Sequence, residues 1–222
     1  MSKYPDKVST ARTFKRLPRS VREQQVLDAA VRVFSQRGFH AASMDEIAEA
    51  AGVSKPMVYT YLGTKEELFV ACLHREATRL MEAIADVVDP ALGLRDQLWS
   101  GLRAFFTFVG AHRDGWAVLY RQARGQEPFA AELDAMRRRI VDVVASMLQR
   151  AVQAEGRQIH GTDLEVSAYV LVGAGESLAD WLADHPEADP GKTAGRMINV
   201  AWLGAAQLLR GDVTEPFSSP GE

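Results

Sequence analysis

Between residues 43 and 65, two short helical patterns meet at a three-residue corner, Gly52-Val53-Ser54. Ile47, Ala48 and Ala51 line the apolar side of the first, residues 44–51. Ser43 precedes it as an N-cap, with Glu46 three residues on as its capping-box partner. Met57, Val58 and Leu62 give the second pattern, residues 55–62, its apolar positions. Ser54 stands as its cap, and Pro56 falls in its first turn, where backbone N–H groups have no intrahelical acceptor. Two helices packed at such an angle need small residues at closest approach, a glycine that tolerates a costly backbone shape, and apolar side chains in the corner. Ala48, Ala51, Gly52, Val53 and Val58 meet those needs. A helix-turn-helix sets its second helix in the DNA major groove while the first crosses the backbone. Facing outward are then Lys55, Pro56, Met57, Tyr59, Thr60 and Tyr61, a polar and aromatic set with one cation.

The flanking sequence reads as helix throughout. Residues 1–18 form a basic arm expected to be flexible. After Pro18, Val26, Ala30, Val33 and Phe34 share one face up to Arg37, and Gly38 stands where a C-terminal glycine belongs. Thr64 caps a helix running from Lys65 toward Val88, with Glu67 as its partner. Further helices are predicted over 94–112, 114–122, 128–155, 163–184 and 192–210. The polar stretch 211–222 is expected to be a disordered tail. No strand alternation occurs. The predicted fold is all-α: an N-terminal three-helix domain at 19–68, then a larger C-terminal helical bundle at 69–210, about nine helices in total.

The net charge of −3 hides an asymmetry. Residues 1–22 carry seven basic residues and one acidic residue, whereas residues 76–222 carry fourteen basic and twenty-one acidic ones. A basic front and an acidic remainder suit a front that faces a polyanion. The single cysteine, Cys72, excludes an intrachain disulfide and a four-cysteine zinc site, and a reducing cytoplasm is the expected compartment. In the second half the longest charge-free stretches, Val166–Gly175 and Met197–Leu209, span 10 and 13 residues. Both fall short of the roughly 20 apolar residues a spanning helix needs. The first twenty residues lack the apolar run of a secretory signal.

The stretch VLDAAVRVFSQRGFHAASMDEIAEAAGVSKPMVYTYLGTKEELFVACL resembles the N-terminal domain of TetR-family transcriptional regulators. Leu27, Ala30, Phe34, Gly38-Phe39, Ile47-Ala48, Ala51-Gly52-Val53-Ser54, Val58-Tyr59, Tyr61, Lys65-Glu66 and Leu68 carry the likeness, which covers residues 20–72. Ser43, Tyr61, Leu62 and Pro56 stand where the family more often has Thr, His, Phe and Gly. The resemblance implies that Ser43 holds a phosphate at a helix N-terminus. Tyr59 and Tyr61 would give hydroxyls, and Lys65 a cation, to phosphates. Lys55, Met57 and Thr60 would face base edges. Arg19 and the arm would add phosphate or minor-groove contacts. The alternatives for the residues alone are Tyr59 packing between the first and third helices and Lys65 as a solvated cation.

For the second domain, the resemblance implies ligand sensing and homodimerisation through the last two helices. Val166, Tyr169, Val170 and Gly173 on one helix, with Ile198, Ala201, Ala205 and Leu208 on the other, are the candidate interface. Burial within one subunit is the alternative. A palindromic operator requires two recognition helices about 34–36 Å apart, so a dimer follows from specific DNA binding. Trp99, Phe105, Phe106, Trp116, Tyr120 and Trp181 are candidates to wall a pocket for a small apolar or aromatic effector, with Arg121, Arg124, His112 and Glu176 orienting it. Aromatic residues at helical spacing more often serve a solid core.

The expected function is a ligand-responsive repressor released from DNA by its effector. The alternatives are a protein-binding helical adaptor and a helical-bundle enzyme. A di-iron bundle needs Glu-x-x-His pairs, and the residues three before His40, His74, His112, His160 and His185 are Arg37, Ala71, Val109, Arg157 and Leu182. No catalytic residue, metal ligand or cofactor is predicted.

Overall fold

The computed structural model describes residues 18–124, 126, 129–154, 156 and 161–210, with side chains as far as 203. The arm before Pro18 and the tail at 211–222 lie outside the described residues. The chain runs through α1 (Arg19–Ala41), α2 (Met44–Ala51), α3 (Lys55–Leu62), α4 (Lys65–Ala85), α5 (Leu94–Ala111), α6 (Arg113–Trp116), α7 (Phe129–Ala154), α8 (Gly161–Asp184) and α9 (Pro190–Arg210). Among the described residues there is no strand.

Local chemistry sets the corners. Ser43 Oγ accepts the Glu46 N–H at 3.1 Å, and the Ser43 N–H donates to the Glu46 carboxylate at 3.1 Å. Thr64 and Glu67 repeat this box at the start of α4, at 3.2 and 2.7 Å. Each box satisfies N–H groups that a helix start leaves without partners. Gly52 takes the left-handed conformation (φ +64°, ψ +35°) that turns α2 into α3. Ser54 flanks α3 but its side chain makes no capping bond, a difference from its expected role. The first helix also runs on past Arg37. Gly38 breaks its geometry at φ +76°, and one further turn follows to Ala41. After α6, residues Ala117–Gln122 are wound as a π-helix, where an ordinary short helix is expected. Nothing in their composition signals that wider winding.

The first core gathers Val26, Ala30 and Phe34 of α1, Ile47 of α2, Val58 of α3, and Leu68, Phe69 and Cys72 of α4. It is completed from farther along the chain by Val118, Leu119, Ala123 and Phe129. The Phe129 ring, at the start of α7, lies 4.4 Å from that of Phe69 and 4.9 Å from that of Phe39. The expected boundary at 68/69 therefore falls inside α4, whose first half belongs to the N-terminal core. Two more clusters fill the second unit. One joins Leu98, Val141, Leu148, Leu164 and Ile198, and the other joins Phe106, Val109, Trp116, Ala179, Leu182 and Met197. α4 is tied down by a buried carboxylate. Glu76 accepts from Arg75 at 2.7 Å, and Arg75 reaches Asp28 of α1 at 2.8 Å. A Cβ at position 115 would stand 2.5 Å from Glu76 Oε2, so Gly115 is what lets α6 close on α4.

Candidate nucleic-acid interface and effector cavity

On α3, Val58 is fully buried between the helices, which leaves Lys55, Pro56, Tyr59 and Thr60 exposed and Met57 and Tyr61 half-buried. The outward set read from the 3.6-residue period is thus one continuous face. Lys55 Nζ sits 2.8 Å from Asp45 on α2, and that carboxylate holds its ammonium above the ordinary lysine range. Thr60 Oγ1 donates to the Pro56 carbonyl at 2.8 Å. The Arg19 guanidinium stacks over the Tyr61 ring at 5.6 Å, so the start of α1 joins this face.

Two residues assigned to phosphates have structural work as well. The Ser43 hydroxyl is engaged in its capping box. Lys65 Nζ donates to the carbonyls of His40 (3.2 Å) and Ala42 (3.0 Å) and lies 4.7 Å above the Phe39 ring. It clasps the extra turn of α1 by satisfying carbonyls at the helix end. An ammonium has three donors, so one remains for a phosphate.

α4 and α7 meet at Phe69 and Phe129, and beyond that contact they border a cavity of about 590 Å³. α4 lines it from His74 to Ile84, with Val88 just beyond the helix end, and α7 from Glu132 to Met147. Glu132 and Met147 are fifteen residues apart on α7, which at 1.5 Å rise makes the trough roughly 22 Å long. Its walls are chiefly apolar, from Ala77, Met81, Ile84, Leu102, Leu133, Ile140, Val143 and Leu171. His74 and Glu132, 2.7 Å apart, span the gap at one end. Inside, Glu176 accepts Arg137 Nε on both oxygens at 3.0 Å. Arg139 on α7 and Glu82 on α4 also line it and are exposed.

Of the aromatic candidates, Phe105, Trp116 and Tyr120 line this cavity, together with Glu176. Trp99, Phe106 and Trp181 do not. The cavity side of α5 carries Leu98, Gly101, Leu102 and Phe105, and Trp99 and Phe106 are each one residue beyond it, about 100° round the helix. Trp99 stands 37 % exposed against Gly195 of α9, and Phe106 is buried in the neighbouring core. Trp181, 41 % exposed, stacks on His185. Arg121 is bound to Asp180 and Asp184, Arg124 to the Tyr120 hydroxyl, and His112 stacks on Phe108. The walls supplied by α4 and α7 are missing from the sequence reading, because an apolar stripe on an amphipathic helix looks the same over a cavity as over a core.

Val166, Tyr169 and Val170 stand exposed on α8, joined on α9 by Val200 and Leu203; Gly173 and Ala201 are half-buried. Ile198 departs from the expected interface. It is buried inside the subunit and borders the cavity. The side chains of Ala205 and Leu208 lie outside the described residues. Among those residues no group of three metal-ligating side chains occurs, and no helix is long and apolar enough to cross a membrane. Burial pushes the Cys72 thiol up to about 12, far from a nucleophile's range.

Two family models match the chain. The one described as bacterial regulatory proteins, tetR family, matches residues 26–72, and the one described as tetracyclin repressor-like, C-terminal domain, matches residues 94–204. A TetR-like transcriptional regulator from Rhodococcus sp. RHA1, of known crystal structure, is 46 % identical with a TM-score of 0.76, over 86 % of this chain and 99 % of that one. The HTH-type transcriptional activator FasR of Mycolicibacterium smegmatis is 30 % identical over 87 % of each chain. The fold is shared with Bacillus subtilis FadR, solved in complex with stearoyl-CoA, at 17 % identity and a TM-score of 0.67 over 80 % of this chain and 96 % of that one. With its helix-turn-helix face, its helical second unit and these relatives, the chain belongs to the TetR family of DNA-binding transcriptional regulators.

Proposed function

We propose that this regulator binds a palindromic operator as a homodimer and is released by an effector with a long acyl chain, carried as a coenzyme A thioester. The observation that carries the reading is the apolar trough between α4 and α7. A saturated chain of 1.52 Å bonds at about 111° advances about 1.25 Å per bond. A trough of roughly 22 Å then takes about eighteen bonds, the length of a long fatty-acyl chain. The pairs Glu176–Arg137 and His74–Glu132 are already formed inside it, which favours entry of the apolar tail and leaves an anionic head group at the surface. FadR in complex with stearoyl-CoA supports the chemistry by analogy of fold.

On the DNA side, Lys55, Met57 and Thr60 face base edges, with Pro56 shaping the approach of α3. Tyr59, Tyr61, Lys65 and the α2 start behind Ser43 take phosphates. The exposed apolar face of α8 and α9 is the dimer surface, since monomers rarely leave such a patch uncovered. FasR is named an activator. A DNA binder that leaves its site acts with either sign, according to where the operator lies relative to the promoter. A repressor role belongs to a site that overlaps the promoter.

The test uses fluorescence anisotropy on the duplex upstream of the protein's own gene. Hexadecanoyl-CoA should dissociate the complex at micromolar concentration, while butanoyl-CoA and free coenzyme A leave it intact. Equal release by all three would sink the chain-reading role of the trough.

A further inference from the structure

Trp116 breaks the rule that buried polar groups find partners. It is 4 % exposed and its ring forms part of the cavity wall, yet its Nε1–H meets no acceptor. Among the described residues, the other buried side-chain polar atoms along the wall are matched. Glu176 holds Arg137, Gln97 Nε2 donates to the Leu92 carbonyl at 2.6 Å, and His74 holds Glu132. The indole is also not free to turn toward a partner of its own. Tyr120 stacks on it at 4.9 Å with the planes 14° apart, and Phe105 abuts it edge-on at 5.6 Å. Directly after it the backbone is π-wound over Ala117–Gln122, a winding that recurs at functional sites in proteins.

We infer that Trp116 is a specificity-determining residue of the cavity, whose N–H is kept for an acceptor oxygen on an otherwise apolar effector. This rests on the reading of the cavity as the effector site. The neighbours of the N–H seal it from water, so the incoming oxygen reaches it with a small shift of the segment 113–122. Two sources supply the oxygen: the carbonyl at the head of an acyl chain, or a keto or hydroxyl group part way along it. In either case a hydrocarbon chain of the same length lacks the matching group and binds more weakly. Replacing an orphan donor by a neutral hydrogen bond is worth about tenfold in affinity.

Trp116→Phe keeps an aromatic ring against Tyr120 and Phe105 while removing the donor, along with the volume of the second indole ring. Calorimetric titration would compare three ligands on the wild-type protein and the variant: hexadecanoyl-CoA, its S-hexadecyl thioether without the carbonyl, and the same thioether with a mid-chain ketone. One oxygen-bearing ligand should bind the wild-type protein about tenfold tighter than the plain thioether, and Trp116→Phe should erase that advantage. The ligand that shows it identifies the source of the oxygen. In ¹⁵N-labelled wild-type protein, one indole N–H resonance should move downfield with that ligand and stay in place with the plain thioether, a readout independent of how the variant folds. If neither oxygen improves binding, or the advantage survives in Trp116→Phe, the role of Trp116 is overturned and the effector reading stands. If none of the three ligands binds the wild-type protein, the effector reading falls and takes this inference with it.

Discussion

Replacing Lys65 by alanine separates two roles that one side chain holds at once. Its ammonium donates to the His40 and Ala42 carbonyls at 3.2 and 3.0 Å and rests on the Phe39 ring. Each carbonyl bond is worth about 1 kcal/mol net, because the side chain is half-buried and water competes. The cation–π contact adds about 0.5–1 kcal/mol. The loss is therefore about 2–3 kcal/mol, which lowers the melting temperature of a chain this size by roughly 5–10 °C. Lys65→Met, which keeps the apolar stem over Phe39, should recover part of the packing but none of the carbonyl bonds. Thermal melts followed by circular dichroism give the stability. The slope of log affinity against log salt on a non-specific duplex gives the phosphate contact, which the third donor would supply at about one unit. A Lys65→Ala variant that melts within about 1 °C of wild type while its salt slope falls by one unit would refute the clasp and leave a pure phosphate contact.

Other consequences follow from the same geometry. Gly52→Ala meets nothing within 4 Å, so its cost is the left-handed backbone alone, about 1–2 kcal/mol in urea unfolding, with Gly52→Asn less damaging. The buried Cys72 thiol keeps its proton up to about 12 against an ordinary 9.0. The native state is thus favoured in full below pH 9, and that contribution fades as pH rises toward 12, by at most about 1.4 kcal/mol per pH unit. Cys72→Ala should flatten this alkaline slope in denaturation measured across pH. Val170→Glu with Leu203→Glu, at sites 64 % and 72 % exposed, should give a folded monomer in sedimentation and abolish specific binding to a palindrome. Gly101→Leu projects from the α5 wall beside Val88 and Ile84. It should weaken hexadecanoyl-CoA about tenfold or more by calorimetry and spare shorter chains.

The recognition unit is legible in sequence because each of its conditions is local. The Ser43–Glu46 box, the glycine at φ +64°, and Val58 in the corner each involve residues within a turn or two of one another. The helices of the second unit are legible for the same reason, from period and capping. What the sequence leaves open is which side of a helix meets a partner and which side meets a void. Trp99, Phe105 and Phe106 are neighbours on α5, yet they face α9, the cavity and the core respectively. Their types are alike, and only the packing of distant helices sorts them. Lys65 makes the same point at the DNA-binding end. Its partners His40 and Ala42 lie more than twenty residues back, and the extra turn of α1 that brings them near depends on the break at Gly38.

The position of the cavity ties the two ends of the molecule together. A void of this size leaves its lining without the dispersion contacts a packed core would have, so a ligand that filled it would stabilise the native state, by the logarithm of its concentration once that exceeds its Kd. The two helices that border it are both rooted in the N-terminal core, α4 through Leu68, Phe69 and Cys72, and α7 through Phe129 against Phe39 and Phe69. A close-packed core does not absorb a shift at one wall without moving the other. A ligand that changes the spacing of α4 and α7 therefore acts on the same ring cluster that carries Lys65 and the end of α1. By linkage, DNA that holds those elements in place must resist the ligand by the same free energy.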